Sequence, residues 1–295
     1  MKKFVLFCVA ILVGSFLNAQ TASEGGIGKK SRVKIGLNFY SFDSQLKNGV
    51  TDIFKVIQYA ASIDMGCVDV TGYYFPDYPK VPSDQYIYEV KRCAFRNAVA
   101  ISGTGVRNDF SKAQTDERNK EIQLVKNWIV VASKLGANTI RIFTGPNVPI
   151  GYTWDEAAKW IAASIDECAE YAKQYGIMIA IQNHHDFLKT SDQINTLLSM
   201  CSSDNVGLML DVGTLRMGDP YAEIERVIKR AITWQIKEHV YIKGVKTNLD
   251  INRLMKLIQK SKYRGYLPME VLGDENKEDR IESFLAKLRS EIDPN

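Results

Sequence analysis

Several common chemistries have no foothold in this sequence. Its five cysteines include no CxxC pair, and one of them, Cys8, sits inside an N-terminal apolar run. No Lys/Arg block accompanies the formal net charge of +4, so the electrostatic footprint of a nucleic-acid binder is missing. There is no P-loop, no GxSxG elbow and no HExxH helix. No apolar run reaches the roughly 20 residues that cross a bilayer comfortably.

What is present begins with an address. Lys2 and Lys3 precede an apolar run from Phe4 to Leu17, followed by Asn18-Ala19-Gln20. A basic start, a short apolar stretch and a small residue at its end predict a signal peptide over residues 1–19. Residues 20–31, rich in Gly, Ser and Lys, then form a flexible lead-in, and 32–295 one folded domain. The expected product is exported, most simply to the periplasm, with no stable membrane anchor once the leader is cleaved. Cys67, Cys93, Cys168 and Cys201 remain; a domain of this length needs no disulfides, and free buried thiols are expected.

One unit recurs roughly every 30 residues, an apolar β-rich run followed by a helical period. The predicted strands are Val33–Phe39, Cys67–Thr71, Val99–Gly103, Thr139–Phe143, Ile177–Gln182, Val206–Asp211, Ile232–Lys237 and Tyr266–Glu270. Thr51 is placed to cap a helix over Asp52–Met65 that Gly66 stops, and Asp116–Leu135 closes at Gly136. Thr153 or Asp155 opens a helix that ends at Gly176; Ser191, Asp219 and Asp250 begin three more, and Lys277 to Ile292 forms the last. Eight such alternations predict an α/β fold, a single (β/α)8 TIM barrel. An open doubly wound sheet is the alternative, but the glycine-rich phosphate turn it usually carries after an early strand is absent.

Four of the apolar runs close on polar residues: Ile177–Gln182, Val206–Asp211, Ile232–Gln235 and Tyr266–Glu270. Active sites of such barrels lie at this C-terminal mouth. A carboxylate closing a buried strand is costly unless paired, hydrogen-bonded or metal-bound, so Asp211 and Glu270 read as site residues or as partners of Lys237 in a salt bridge. Strand alternation gives His184 to the site and leaves His185 open, with Asp186 able to orient a ring; His239 reads as a loop residue. Tyr73-Tyr74-Phe75 could form an apolar wall, while Asn38, Arg107, Trp154 and Arg216 fall in top-side loops. Asn38, Tyr73, Arg107 and Arg216 are the candidate substrate contacts, against the plainer readings of packing and solvated charge. Trp128 and Trp160 sit at core-like helical spacing.

From strand five onward the chain resembles the xylose-isomerase-like barrel family, often described as sugar phosphate isomerase/epimerase. The family's E-N-H appears as Gln182-Asn183-His184, and its L-D-x-G-H as Leu210-Asp211-Val212-Gly213-Thr214. Its H-x-K-D appears as Gln235-Ile236-Lys237-Glu238, and its closing glycine-to-glutamate run is similar to Lys262–Glu270. Ala132–Arg141 is similar to its approach to strand four.

The resemblance implies one divalent metal held as Glu, Asp, His and Glu, gripping a hydroxyl and a carbonyl oxygen and stabilising an enediolate. Here Gln182 replaces the Glu, Gln235 the His, and Thr214 a further His. The all-oxygen set Gln182, Asp211, Gln235 and Glu270 then suits Mg²⁺ or Mn²⁺ and disfavours zinc, with His184 a possible replacement ligand. The alternative is a metal-free site whose amides hydrogen-bond sugar hydroxyls.

Gln182 cannot take up a proton at any working pH, which weighs against an epimerase using a base on each face. Reactions that need one base remain: aldose–ketose isomerisation, or lyase/hydratase chemistry on a keto-sugar or keto-glycoside. The resemblance offers Glu270 as base; Lys237 would steady an oxyanion and His184 relay a proton. The expected ligand is a small carbohydrate, free, oxidised or glycosidic rather than phosphorylated. A non-catalytic sugar-binding barrel is the second class of reading. Abasic-site DNA repair is disfavoured, since those related barrels are richer in His and carboxylate ligands.

Overall fold

Apolar strands spaced by amphipathic helices close into a barrel here because each strand is buried on both faces, as a parallel sheet requires. The computed structural model describes residues 33–184 and 187–292. The expected signal peptide and lead-in, and the pair His185 and Asp186, lie outside the described residues. The strands are β1 (Val33–Asn38), β2 (Cys67–Thr71), β3 (Ala100–Gly105), β4 (Thr139–Ile142), β5 (Met178–Gln182) and β6 (Val206–Asp211). They continue with β7 (Ala231–Lys237), β8 (His239–Ile242), β9 (Val245–Asn248) and β10 (Gly265–Glu270). Eight of them form the closed parallel barrel in the order β1-β10-β7-β6-β5-β4-β3-β2. The fold is a single (β/α)8 TIM barrel, as the alternation predicts; Cys67–Thr71 and Val206–Asp211 keep their expected limits and the other six strands differ by one or two residues at one end or both.

The helices are α1 (Asp43–Lys47), α2 (Ile53–Ser62), α3 (Asp84–Arg96), α4 (Thr115–Leu135) and α5 (Trp154–Lys173). After them come α6 (Ser191–Met200), α7 (Pro220–Val227), α8 (Ile251–Ser261) and α9 (Lys277–Ile292). Their starts follow the capping rule that a short polar side chain accepts from an early N–H. Asp52, rather than Thr51, caps α2 through Lys55 N at 2.8 Å. Thr153 and Glu156 form a reciprocal capping box on α5, and Thr190 stands one residue before the expected start of α6. Gly136 ends α4 in a left-handed conformation, φ 78°. The limits of α3 are not legible in the sequence, because the helix buries only Ile87, Val90 and Ala94, too thin a stripe to stand out among its charges.

One element departs from simple alternation. Residues after β7 form an antiparallel hairpin, β8–β9, in which His239 pairs with Asn248. The expectation that His239 is a loop residue is corrected accordingly: it begins a strand. Trp128 is fully buried, its indole N–H donating to the Pro79 carbonyl at 3.2 Å. Trp160 is half-buried against the same core and donates to the Phe110 carbonyl. The four cysteines from Cys67 onward are free. Among the described residues no helix is long and apolar enough to cross a membrane.

Candidate active site

Gln182, Asp211, Gln235 and Glu270 come together because β5, β6, β7 and β10 are neighbours in the barrel; the first, second and fourth end their strands, and Gln235 stands two residues before the end of β7. Register sets Asp211 beside Gln235 and Lys237 beside Glu270. Gln235 and Lys237 lie two residues apart on β7, so the pleat turns both toward the barrel axis. Gln182, Asp211, Gln235 and Glu270 are all buried.

Their polar atoms are turned on one another. Carboxylates only accept, so the amide nitrogens must face them. Gln182 Nε2 donates to Asp211 Oδ2 at 2.7 Å and to Gln235 Oε1 at 3.2 Å. Gln235 Nε2 donates in turn to Glu270 Oε2. The Lys237 ammonium bridges the two acids, 2.9 Å from Asp211 Oδ2 and 3.2 Å from Glu270 Oε1, with its side chain 14% exposed. Gly213 N–H satisfies Asp211 Oδ1 at 2.9 Å. Behind this layer Asn183 locks β5 to β6, accepting from Asp211 N and donating to the Asp211 carbonyl, both at 2.9 Å. Thr214 donates to the Asn183 carbonyl, so the departure from the family's histidine here serves the backbone.

Burial alone would pull the Lys237 ammonium down; Asp211 and Glu270 more than offset it, and its pKa is raised. Burial pushes Glu270 up, an effect that Asp211 reinforces and that Lys237 and Arg141 oppose. Glu270 therefore holds a proton more readily than an ordinary glutamate while remaining tied to a cation.

Gln182, Gln235, Lys237 and Glu270 floor a cavity of about 580 Å³, with Asp211 buried behind them; the size suits a small-molecule ligand. Asn38, Tyr73, Arg107, His184 and Arg216 all line it. Asn38 also caps the turn after β1 by accepting from Tyr40 N at 2.9 Å. Arg107 stacks over Tyr73 at 4.8 Å, and Arg216 over Tyr241 at 4.3 Å. His184 meets the Phe143 ring edge-on at 5.4 Å. Of the expected aromatic wall only Tyr73 lines the cavity; Phe75 packs into the core 5.5 Å from Trp128. Trp154, expected on a top-side loop, starts α5 and stacks on Phe187 at 5.2 Å.

Two buried charges carry no role in the sequence reading: Arg141, which lines the cavity, and Asp69, which does not. Arg141, the penultimate residue of β4, is buried, lines the cavity, lies 4.2 Å from the Phe143 ring and donates to Tyr73 Oη at 3.1 Å. Gly105 makes room for it, since a Cβ there would stand 2.8 Å from Arg141 Nε. Asp69 on β2 is buried too; burial raises its pKa from 3.8 to about 6, with Arg141 opposing and Glu270 adding to the rise. The available signal was an acid in the middle of the apolar run Cys67-Val-Asp-Val-Thr71.

The family model described as xylose isomerase-like TIM barrel matches residues 57–291. The chain belongs to that family. No curated protein matches the sequence. Among solved structures, a sugar phosphate isomerase/epimerase from Parabacteroides distasonis is 20% identical, with TM-score 0.68, over 91% of this chain and 98% of that one. The E. coli 3-keto-D-glucoside 4-epimerase is 13% identical, TM-score 0.69, over 88% of this chain and 99% of its own. The IolI protein, solved with a bound zinc atom, is 14% identical, TM-score 0.71, over 88% of this chain and 97% of its own. At such identities these likenesses show the fold.

A divalent metal, which resemblance to this xylose isomerase-like family implies, can be tested against the side chains. Both amides present N–H groups to the carboxylates, and turning their oxygens inward would sacrifice those charge-assisted hydrogen bonds. The ammonium already bridges the two acids. Unit charges about 4 Å apart interact by roughly 4 kcal/mol at an effective dielectric constant near 20, and a dication beside an ammonium would repel twice as strongly. Among the described residues no three His, Cys, Asp or Glu side chains converge on one point. The donor set therefore fits an ammonium and does not fit Mg²⁺, Mn²⁺ or zinc.

Proposed function

We propose that this chain is a carbohydrate-active enzyme of the sugar isomerase type that removes a proton from the carbon next to a carbonyl. The observation that carries the reading is Glu270: a buried carboxylate of raised proton affinity at the floor of a sugar-sized cavity, beside a cation. Glu270 takes the proton, and the C–H electron pair moves through the new C=C bond onto the carbonyl oxygen. Lys237, with Arg141 and Arg216 around the cavity, meets the negative charge that develops there. Return of the proton to the neighbouring carbon, with transfer of a hydroxyl proton between the two oxygens, completes an aldose–ketose interconversion.

Gln182 supports a one-base course, because a side-chain amide neither takes up nor releases a proton as acid or base at working pH. His184 lines the same cavity and supports the runner-up, β-elimination from a keto-sugar or keto-glycoside with His184 passing a proton to the leaving oxygen. The basic, apolar N-terminus supports export, and with it a free, oxidised or glycosidic substrate rather than a phosphosugar.

The test incubates purified protein with keto- and aldo-sugars in D₂O and follows products by NMR. Deuterium is expected at the carbon beside the carbonyl, and the exchange should vanish in Glu270→Gln. Exchange that persists in that variant would assign the base elsewhere. Measurable sugar binding with no exchange or product on any sugar would replace the enzyme reading with a binding barrel.

A further inference from the structure

We propose that the Lys237 ammonium is the resident cation of this site, taking the place between Asp211 and Glu270 that a divalent metal would otherwise hold. The chain then works without a metal, and the positive charge facing the substrate is supplied by its own side chain. That last clause rests on the enzyme reading above; the displacement of metal rests on geometry alone.

Every carboxylate oxygen is already matched. Asp211 Oδ1 accepts from Gly213 N, and Oδ2 from Gln182 Nε2 and Lys237 Nζ. Glu270 Oε1 accepts from Lys237 Nζ, and Oε2 from Gln235 Nε2. Two acids facing one ammonium and two amide N–H donors form a set whose proton donors and acceptors balance. A hard cation needs the reverse, oxygens converging on a centre with no N–H among them.

The backbone is also shaped for the lysine stem. A Cβ on Gly213 would stand 2.6 Å from Lys237 Cδ, so a glycine two residues after β6 is what lets the chain of Lys237 pass. The family pattern quoted above carries a lysine at this position as well. Here the two glutamines have taken the metal's charged and imidazole donors away, leaving the carboxylates to the ammonium. An ammonium also differs from a metal in what it can do: it donates hydrogen bonds to the substrate oxygen and coordinates nothing.

The full chain, dialysed against chelator, is titrated with Mn²⁺ while free Mn²⁺ is read by paramagnetic resonance; zinc is assayed by elemental analysis. The unmodified chain is expected to retain neither metal in stoichiometric amount, and its thermal midpoint should not move with Mn²⁺. Lys237→Ala frees both carboxylates and is expected to bind Mn²⁺ at least about tenfold more tightly. That gain should disappear in Lys237→Ala combined with Asp211→Asn. Stoichiometric Mn²⁺ or zinc on the unmodified chain, abolished by Asp211→Asn, would overturn the proposal. A folded Lys237→Ala that gains no affinity would overturn it too, since the amides alone would then be excluding the metal. Should Lys237→Ala fail to fold, the unmodified chain and Asp211→Asn decide the matter between them. Turnover is read separately: an inert protein sinks the enzyme reading and leaves the metal result standing.

Discussion

Gly213 and Lys237 are in a relation of clearance: the missing side chain of the first is the space occupied by the stem of the second. An added Cβ would also stand 3.3 Å from the His239 carbonyl oxygen, so the backbone cannot simply swing away. Gly213→Ala must therefore shift the lysine stem and take the ammonium off at least one carboxylate. A fall in kcat of roughly 10²-fold is expected, the scale of losing one donor to a developing oxyanion. The midpoint of unfolding should move far less than in Lys237→Met. An unchanged kcat would show that the ammonium tolerates displacement.

Removing the ammonium altogether is a different perturbation. Lys237→Met leaves Asp211 and Glu270 facing each other with no cation between them, and breaking such a buried set costs about 3–5 kcal/mol. The loss should be largest at neutral pH. It should shrink on acidification, because Glu270 takes up a proton more readily than an ordinary glutamate and one of the two charges disappears. Urea unfolding of the variant and its parent at neutral and mildly acidic pH measures both the size and the sign.

Much of this geometry was legible in the sequence, for a physical reason. Strands buried on both faces read as apolar runs, and a polar residue ending such a run marks the barrel's mouth, so Gln182, Asp211, Gln235 and Glu270 stood out. Hydrogen-bond direction did not. Whether a glutamine offers oxygen to a cation or N–H to a carboxylate depends on its neighbours across strands, and only the pairing of β5, β6, β7 and β10 puts Lys237 against both acids. Asp69 and Arg141 were missed for the same reason: each is a single charge inside an apolar strand, whose meaning comes from the partner on another strand. The β8–β9 hairpin escaped because a short insertion after β7 leaves no break in the alternation.

Asp69 gives the fold a pH dependence of defined sign. Its pKa rises from 3.8 to about 6 in the folded chain, so between those values the folded state binds more protons than the unfolded one. Stability from this group is thus fully present below pH 3.8 and is lost as pH rises through about 6. A rise of about two pH units corresponds to roughly 3 kcal/mol. Asp69→Asn keeps the shape and removes the charge, so it should flatten this part of the curve and gain stability at neutral pH. Glu270 contributes a slope of the same sign, which the variant retains. Unfolding free energies measured from acidic to neutral pH test this; equal slopes in the two proteins would place the ionisation elsewhere.

The acid limb of the pH–rate profile should carry the signature of Glu270. A base must be ionised to act, and burial lifts this carboxyl above the ordinary 4.5. The acid limb of kcat/KM is therefore expected above the usual carboxylate range. Its neighbours set the direction of further shifts: Asp211 raises the pKa and Lys237 lowers it. Asp211→Asn should move the limb to lower pH, and Lys237→Met to higher pH, each on top of any change in the plateau rate. Opposite movements in two variants of one hydrogen-bonded set are hard to produce by loss of structure, which would lower the plateau without ordering the limbs. A limb that stays in place in both variants would mean that the titrating base is not Glu270.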